Sequence, residues 1–105
     1  MKVVFFGDGE NVFSNRHFHA LTETAADIVA VVDAPKANWT STNKADSAAF
    51  VPFPMFAEKR GIPVLRAEDP NTRDTVALVR DLVPDLFIAV GYNRVLRDEL
   101  LSIPR

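Results

Sequence analysis

The apolar residues of this chain fall into four short runs, separated by longer segments with helical spacing. The runs cover residues 3–6, 28–32, 62–65 and 86–90, and none of them alternates apolar with polar positions. Unbroken runs of this length are typical of strands in a sheet that is covered on both faces. The intervening segments of roughly 20 to 30 residues predict βαβ units and therefore a mainly parallel sheet.

Capping residues and apolar spacing predict two helices in the first half of the chain. The first begins near Ser14, which we interpret as its cap. Its inward face is predicted to hold Phe18, Leu21 and Ala25. The second begins at Pro52, and Gly61 stands where a left-handed cap is expected. The inward residues of this helix are Phe53, Phe56 and Ala57.

Two further helices are predicted in the second half. The third takes Asn71 as its N-cap and ends before Pro84. Its sheet-facing residues are Val76, Val79 and Val83. A short fourth helix spans residues 97–101.

Residues 34–47 form a long polar connection that contains Trp39. Two interpretations stay open for it: a surface loop, or a substrate-facing loop at the carboxyl edge of the sheet, where open α/β sheets bind their ligands.

Length and composition narrow the class of protein. The chain has 105 residues, 12 Lys and Arg against 14 Asp and Glu, a formal net charge of −2 and no cysteine. This length suits a single domain covering residues 1–105. The charge gives no basic footprint for nucleic acid, and the absence of cysteine excludes disulfides and thiolate metal sites. No apolar run is long enough to span a membrane, so we expect a cytoplasmic protein without a membrane partner.

The segment Gly7-Asp8-Gly9 follows the first strand, and Asp33 ends the second. These are the positions of a dinucleotide-binding turn and a ribose-binding carboxylate. However, Val12 replaces the third glycine of that motif, and acidic side chains would lie beside a pyrophosphate. A small nucleotide-binding module therefore stays as an alternative, against a glycine-rich turn that only the crossover requires.

The two histidines do not predict a metal site. His17 and His19 are two residues apart on a predicted helix, so their side chains point about 200° away from each other. We expect a structural or surface role for both, and no metal.

The most informative segment follows the fourth strand. Gly91 permits a tight turn or a close approach of the backbone to a ligand, and residues 92–96 carry both polar and apolar groups. Such a loop at the carboxyl end of a strand suits one wall of a pocket for a flat heterocycle, with backbone N–H and C=O groups facing the ring edge.

Five segments together resemble the N-terminal part of the folate-dependent formyltransferases, a family that includes methionyl-tRNA, glycinamide ribonucleotide and sugar N-formyltransferases. They are residues 3–7 (VVFFG), 61–64 (GIPV), 84–86 (PDL), 91–96 (GYNRVL) and 103–105 (IPR). No single segment is diagnostic, but their order and spacing extend over the whole chain. The resemblance implies a Rossmann-like αβα fold with a four-stranded sheet in the order 3-2-1-4.

The resemblance also implies a cofactor and its binding residues. The formyl donor of the family is 10-formyltetrahydrofolate, and the loop after the fourth strand lines its pterin pocket, largely through backbone groups. Carried onto this chain, the cofactor residues are Gly91, Tyr92, Arg94, Val95 and Leu96. The acceptor amine of the family lies near the loop after the first strand, so the substrate residues are Asp8, Gly9, Glu10 and Asn11.

Two departures from the family change what we expect of this chain. The catalytic Asn, His and Asp of the family lie beyond Arg105, so we expect the front part of a larger enzyme, inert by itself. The long connection holds only Lys36 and Lys44, whereas in the tRNA-formylating members it is strongly basic. We therefore expect a small-molecule amine acceptor, such as an amino sugar, rather than tRNA.

The fourth strand is expected at an exposed, uncharged edge of the sheet in this chain. Natural proteins avoid such edges, so we expect two copies to pair through it in a homo-oligomer. This leaves a third alternative beside enzyme and nucleotide-binding module: a non-catalytic domain that assembles through its open sheet edge.

Overall fold

A computed structural model of the chain describes residues 1–34 and 51–104. The elements in chain order are β1 (Lys2–Gly7), α1 (Val12–Thr22), β2 (Asp27–Asp33), α2 (Phe53–Lys59), β3 (Val64–Arg66), α3 (Arg73–Asp81), β4 (Leu86–Val90) and α4 (Asp98–Leu101). The four strands form one parallel sheet in the order β3-β2-β1-β4. This confirms the Rossmann-like α/β fold and the strand order. Most of the long connection, with Trp39, Lys36 and Lys44, lies outside the described residues.

The sheet is covered on both faces because its apolar strands present side chains in both directions. On one face Phe5 and Val31 pack against buried residues of α1 and α2, and the Phe5, Phe18 and Phe53 rings lie 5.2–5.4 Å apart. The opposite face packs against α3 and α4 through Val4, Phe6, Val76, Val79 and Leu100. Unbroken apolar strands thus predicted the three-layer arrangement correctly.

β4 lies at one edge of the sheet. It pairs with β1 along its whole length, from Val3 opposite Leu86 to Gly7 opposite Val90. Among residues 1–34 and 51–104 no strand pairs with its other side. Within the same residues, no helix combines the length and apolar composition that a membrane span requires.

Three predicted boundaries in the second half were displaced, each for a local reason. β3 was predicted over residues 62–65 but begins at Val64, because Pro63 has no N–H to donate to the ladder and contributes only its carbonyl, to the Val31 N–H. α3 takes Thr72 as its N-cap rather than Asn71, whose side chain bonds elsewhere. Val83 lies beyond the end of α3 with φ +49° and is half-exposed, so its predicted contact with the sheet is wrong.

The ends of α1 and α2 also differ from the prediction. α1 starts at Val12 and ends at Thr22, which leaves Ala25 outside it. Pro52 is the N-cap of α2 rather than its first residue. Gly61 has φ +73°, as expected for the left-handed position after this helix.

Candidate functional site

The carboxyl ends of three strands lie side by side. Gly7 pairs with Asp33 on one side and with Val90 on the other. The loop after β1, the start of the connection after β2 and the loop after β4 therefore leave the sheet at one edge. Ligands of open α/β sheets bind at this edge, which makes it the candidate site.

The four predicted substrate residues form the loop after β1, and most of them serve the loop itself. The Asp8 carbonyl accepts from the Asn11 N–H at 2.9 Å, and one Asp8 carboxylate oxygen accepts from the Glu10 N–H at 2.9 Å. Asp8, Gly9 and Asn11 are buried, whereas Glu10 is exposed. Glu10 is therefore the member of this group whose side chain is exposed to solvent.

Gly9 and Asp33, on which the nucleotide-binding alternative rests, contact each other. The Gly9 N–H donates to Asp33 Oδ1 at 2.8 Å, and Arg66 Nε lies 3.6 Å from Asp33 Oδ2. The Asp33 side chain is 3% exposed. Because this carboxylate is buried and holds the glycine turn, a ribose hydroxyl does not reach it in this conformation. The geometry disfavours a dinucleotide site.

The interpretation of Ser14 as a helix cap is wrong. Asn11 is the N-cap of α1, and its Oδ1 accepts from the Ser14 N–H at 3.0 Å. The fully buried Ser14 hydroxyl donates to the Val90 carbonyl and accepts from the Asp8 N–H at 3.0 Å. This one side chain joins the loop after β1 to the end of β4.

Asn15 is a second structural residue that sequence reasoning missed. It is fully buried, and its Nδ2 donates to the carbonyls of Gly9 and Asn11, both at 2.9 Å. Its Oδ1 accepts from the Phe53 N–H at 2.7 Å. Asn15 therefore fixes the loop after β1 against the start of α2. Asn15 directly follows Ser14, which is also polar, so the spacing of apolar residues along the helix does not mark Asn15 as buried.

Gly91 begins the loop after β4 with φ +67°, close to α1. A β carbon at this position would lie 2.7 Å from Ser14 Oγ and 3.0 Å from Asn11 Oδ1. Both the backbone conformation and the lack of space require glycine here. The loop after β4 thus turns directly against the residues that organise the loop after β1.

Tyr92 and Asn93 hold buried polar atoms that have no hydrogen-bond partner. In the described residues these atoms are Tyr92 Oη and both side-chain amide atoms of Asn93. The Tyr92 ring packs edge-on against Phe6 at 5.4 Å. Burial raises the pKa of Tyr92 to about 12, although the positive charge of Arg94 acts in the opposite direction. Buried polar atoms normally have partners, so these three atoms set this loop apart from the rest of the described residues.

Arg94, Val95 and Leu96 play three different parts. Arg94 Nε donates to the Glu68 carbonyl at 2.8 Å, and one terminal nitrogen lies 3.3 Å from Glu68 Oε2. Its guanidinium is therefore used to attach the loop to the segment after β3. The Val95 side chain is 73% exposed at this edge. Leu96 is half-buried and packs against the core on the α3 side of the sheet.

The histidines bind backbone carbonyls of the helical layer. His17 Nδ1 lies 2.8 Å from the Phe13 carbonyl oxygen, and His19 Nε2 lies 2.7 Å from that of Val51. The described part of the chain contains no group of three or more metal-ligating side chains.

A comparison with known protein families tests the resemblance that was based on five sequence segments. The sequence profile of the family described as Formyl transferase matches residues 1–105. The chain belongs to the formyl transferase family. The resemblance based on the five segments is thereby confirmed.

Several curated relatives in the family are methionyl-tRNA formyltransferases. That of Geobacter metallireducens is 33% identical over 107 residues, covering 100% of this chain and 32% of that protein. That of Mycobacterium ulcerans is 33% identical, covering 99% of this chain and 32% of its own length. That of Mycolicibacterium paratuberculosis is 35% identical with the same coverage. The chain spans about one third of the length of these relatives.

These relatives correct the expected acceptor. A small-molecule amine such as an amino sugar was favoured over tRNA, yet the similar formyl transferases are named for methionyl-tRNA. The expectation was wrong because it took two lysines of one connection as the measure of phosphate binding. Phosphate contacts come from cations over a whole surface, and one loop does not represent that surface.

Because Gly91 packs closely against Ser14, we expect a larger residue at position 91 to destabilise the folded chain. Gly61→Ala is the matched control, because Gly61 also has positive φ but a β carbon there meets nothing within 4 Å. We expect Gly61→Ala to lower the free energy of unfolding by about 1 kcal/mol through its backbone alone. Gly91→Ala is expected to cost about 2 kcal/mol more, because it also displaces Ser14. Urea unfolding of the two variants measures the difference, and equal losses would contradict the close approach.

The burial of Tyr92 predicts a pH dependence of stability. The pKa of this phenol rises from 10.0 to about 12 on folding, so the folded chain holds the proton more tightly. Its contribution is complete below pH 10 and is lost as the pH rises toward 12. The chain has one tyrosine, so absorbance of the phenolate reports Tyr92 directly. The folded chain should titrate about two units above the urea-unfolded chain; coincident titrations would show that the ring is solvated.

Proposed function

We propose that this chain forms the cofactor-binding, N-terminal part of an enzyme that transfers a formyl group from 10-formyltetrahydrofolate to the amine of methionyl-tRNA. The observation that carries the proposal is the loop after β4. It leaves the ligand-binding edge of the sheet, and Tyr92 and Asn93 in it hold buried polar atoms that have no partner among residues 1–34 and 51–104. Membership of the formyl transferase family and the names of the relatives support the same activity.

The chemistry of this loop fits a pterin ring. The edge of a pterin alternates hydrogen-bond donors and acceptors, as do the backbone groups of Arg94, Val95 and Leu96. The exposed Val95 side chain offers an apolar surface for the ring face. The Arg94 guanidinium acts indirectly, because it bonds to Glu68.

When bound, the cofactor supplies a formyl carbon that an amine can attack. The contribution of this chain is to hold the ring at the sheet edge and to shape the acceptor side. Gly91 brings the loop after β4 against Asn11 and Ser14, so the two loops are neighbours. We propose that Glu10 faces the acceptor, since its carboxylate is exposed and attracts a protonated amine.

The proposal extends to the organisation of the protein. Residues 1–105 correspond to about a third of the relatives, so we propose that they form the N-terminal part of a longer catalytic domain. The cytoplasmic location expected from the sequence stays a prediction.

A ligand titration followed by NMR distinguishes this function from nucleotide binding. A stable folate analogue added to the isotopically labelled chain should shift the amide signals of residues 91–96. NAD should shift neither these signals nor those of Gly9 and Asp33, because the Asp33 carboxylate is buried and accepts from the Gly9 N–H. Since one wall of a site binds weakly, we expect a roughly millimolar dissociation constant. Shifts at Gly9 and Asp33 with NAD, and none at residues 91–96 with the folate, would contradict the proposal.

A pair of charge substitutions makes the same test quantitative. Val95 and Leu101 are both exposed apolar residues, but only Val95 lies in the proposed pocket loop. Val95→Asp should weaken folate binding about tenfold, because it removes roughly 1.5 kcal/mol of apolar contact with the ring. Leu101→Asp introduces the same charge and should leave the dissociation constant unchanged. Equal effects of the two variants would exclude a specific contact at Val95.

A further inference from the structure

The side-chain amide of Asn71 connects the loop after β3 to the loop after β4. Asn71 Nδ2 donates to the Val95 carbonyl at 2.8 Å, and Asn71 Oδ1 accepts from the Arg97 N–H at 2.7 Å. These two backbone groups flank Leu96. One amide side chain therefore fixes the backbone on both sides of the residue whose own backbone is proposed to face the pterin.

Asp69 holds the Asn71 amide in this orientation. Asp69 Oδ1 accepts from the Asn71 N–H and from Asn71 Nδ2, both at 2.9 Å. These two hydrogen bonds lower the pKa of the Asp69 carboxyl, with smaller contributions from the positive charges of Arg97 and Arg94. The carboxylate thus stays ionised at neutral pH and keeps accepting. Asn71 Oδ1 is left to face Arg97, since Nδ2 has two acceptors on the other side.

The loop after β3 also contacts the loop after β4 through Glu68. Its carbonyl and carboxylate accept from Arg94 at 2.8 and 3.3 Å. Residues 68–71 therefore contact Arg94, Val95 and Arg97, three residues within four positions. Two of these three residues, Arg94 and Val95, are proposed cofactor residues, and the third, Arg97, directly follows Leu96.

We infer that Asn71 is a positioning residue for the cofactor: through the Val95 carbonyl and the Arg97 N–H it sets the backbone of residues 95–97 in the conformation that binds a pterin ring. This inference rests on the proposed function. Asn71 acts through the loop and need not contact the ligand. Its effect is that the free protein already has the bound conformation of the loop, which lowers the entropy cost of binding.

The test compares Asn71→Ala with Thr24→Ala. Thr24 is a fair control because its exposed side chain also makes two local hydrogen bonds, with Leu21 and Ala26, near the amino end of β2. Three quantities are measured on each variant of the 105-residue chain: the urea midpoint, the hydrogen exchange of the Arg97 amide, and the dissociation constant for the folate analogue.

We expect Asn71→Ala to speed exchange at Arg97 and to weaken folate binding about tenfold. Its urea midpoint should fall no further than that of Thr24→Ala. A purely structural role would lower the midpoint and leave affinity unchanged after correction for the folded fraction. Asp69→Ala removes the acceptor of the Asn71 N–H and frees the Asn71 side-chain amide to rotate, so it should change exchange and affinity in the same direction by a smaller factor.

The outcomes separate the two proposals. If the unsubstituted chain binds the folate analogue and Asn71→Ala binds it equally well, the positioning role is wrong and the proposed function stands. If Arg97 exchange does not change in Asn71→Ala, the positioning role is also wrong, whatever the affinity. If the unsubstituted chain does not bind the analogue at residues 91–96, the proposed function fails, and the inference fails with it.

Discussion

The arrangement of the candidate site depends on one buried hydroxyl group. Ser14 lies in the first turn of α1, yet its Oγ bonds to the end of β4 through the Val90 carbonyl and to the loop after β1 through the Asp8 N–H. No side chain at position 91 fits beside it, so Gly91 begins its turn against this group. Because a buried donor or acceptor without a partner is costly, the hydroxyl fixes the separation of the two loops.

The two loops beside this contact differ in how fully their polar groups are hydrogen-bonded. In the loop after β1, side chains of Asn15, Asp33 and Asp8 provide partners for backbone groups. The loop after β4 is hydrogen-bonded to Glu68 and Asn71, but three of its polar atoms have no partner in the part of the chain that the structure describes. A loop that its neighbours hold in place, at the edge of the sheet where ligands of open α/β sheets bind, agrees with membership of the formyl transferase family.

The sequence predicted what depends on repeated patterns. The apolar runs marked β1, β2 and β4 nearly to the residue, because strands buried on both faces leave little choice of residue type. Gly61 and Gly91 were predicted at turns because glycine tolerates positive φ, and both residues adopt it. The strand order and the expected cofactor came from the family resemblance, whereas the pattern itself predicted only a pocket-lining loop after the fourth strand.

The sequence did not predict contacts between loops, for a physical reason. Ser14 and Asn71 both have the residue types of helix caps, and a local interpretation assigned them that role. In the structure Asn11 and Thr72 are the caps, and the two side chains bond to residues 76 and 24 to 26 positions away. Local propensity does not distinguish a helix cap from a long-range hydrogen bond. The expected formyl acceptor was wrong for a similar reason, because it rested on the number of lysines in one loop.

The most direct test of this account is the stability of Ser14→Ala against Ser102→Ala. Ser102 Oγ donates to the Glu99 carbonyl at an exposed position, so it controls for the loss of a serine hydroxyl. The account predicts that Ser14→Ala loses about 2 kcal/mol of unfolding free energy and that the Asp8 amide exchanges faster, whereas Ser102→Ala loses less than about 0.5 kcal/mol. Equal stabilities with an unchanged Asp8 amide would show that the two loops do not depend on this hydroxyl.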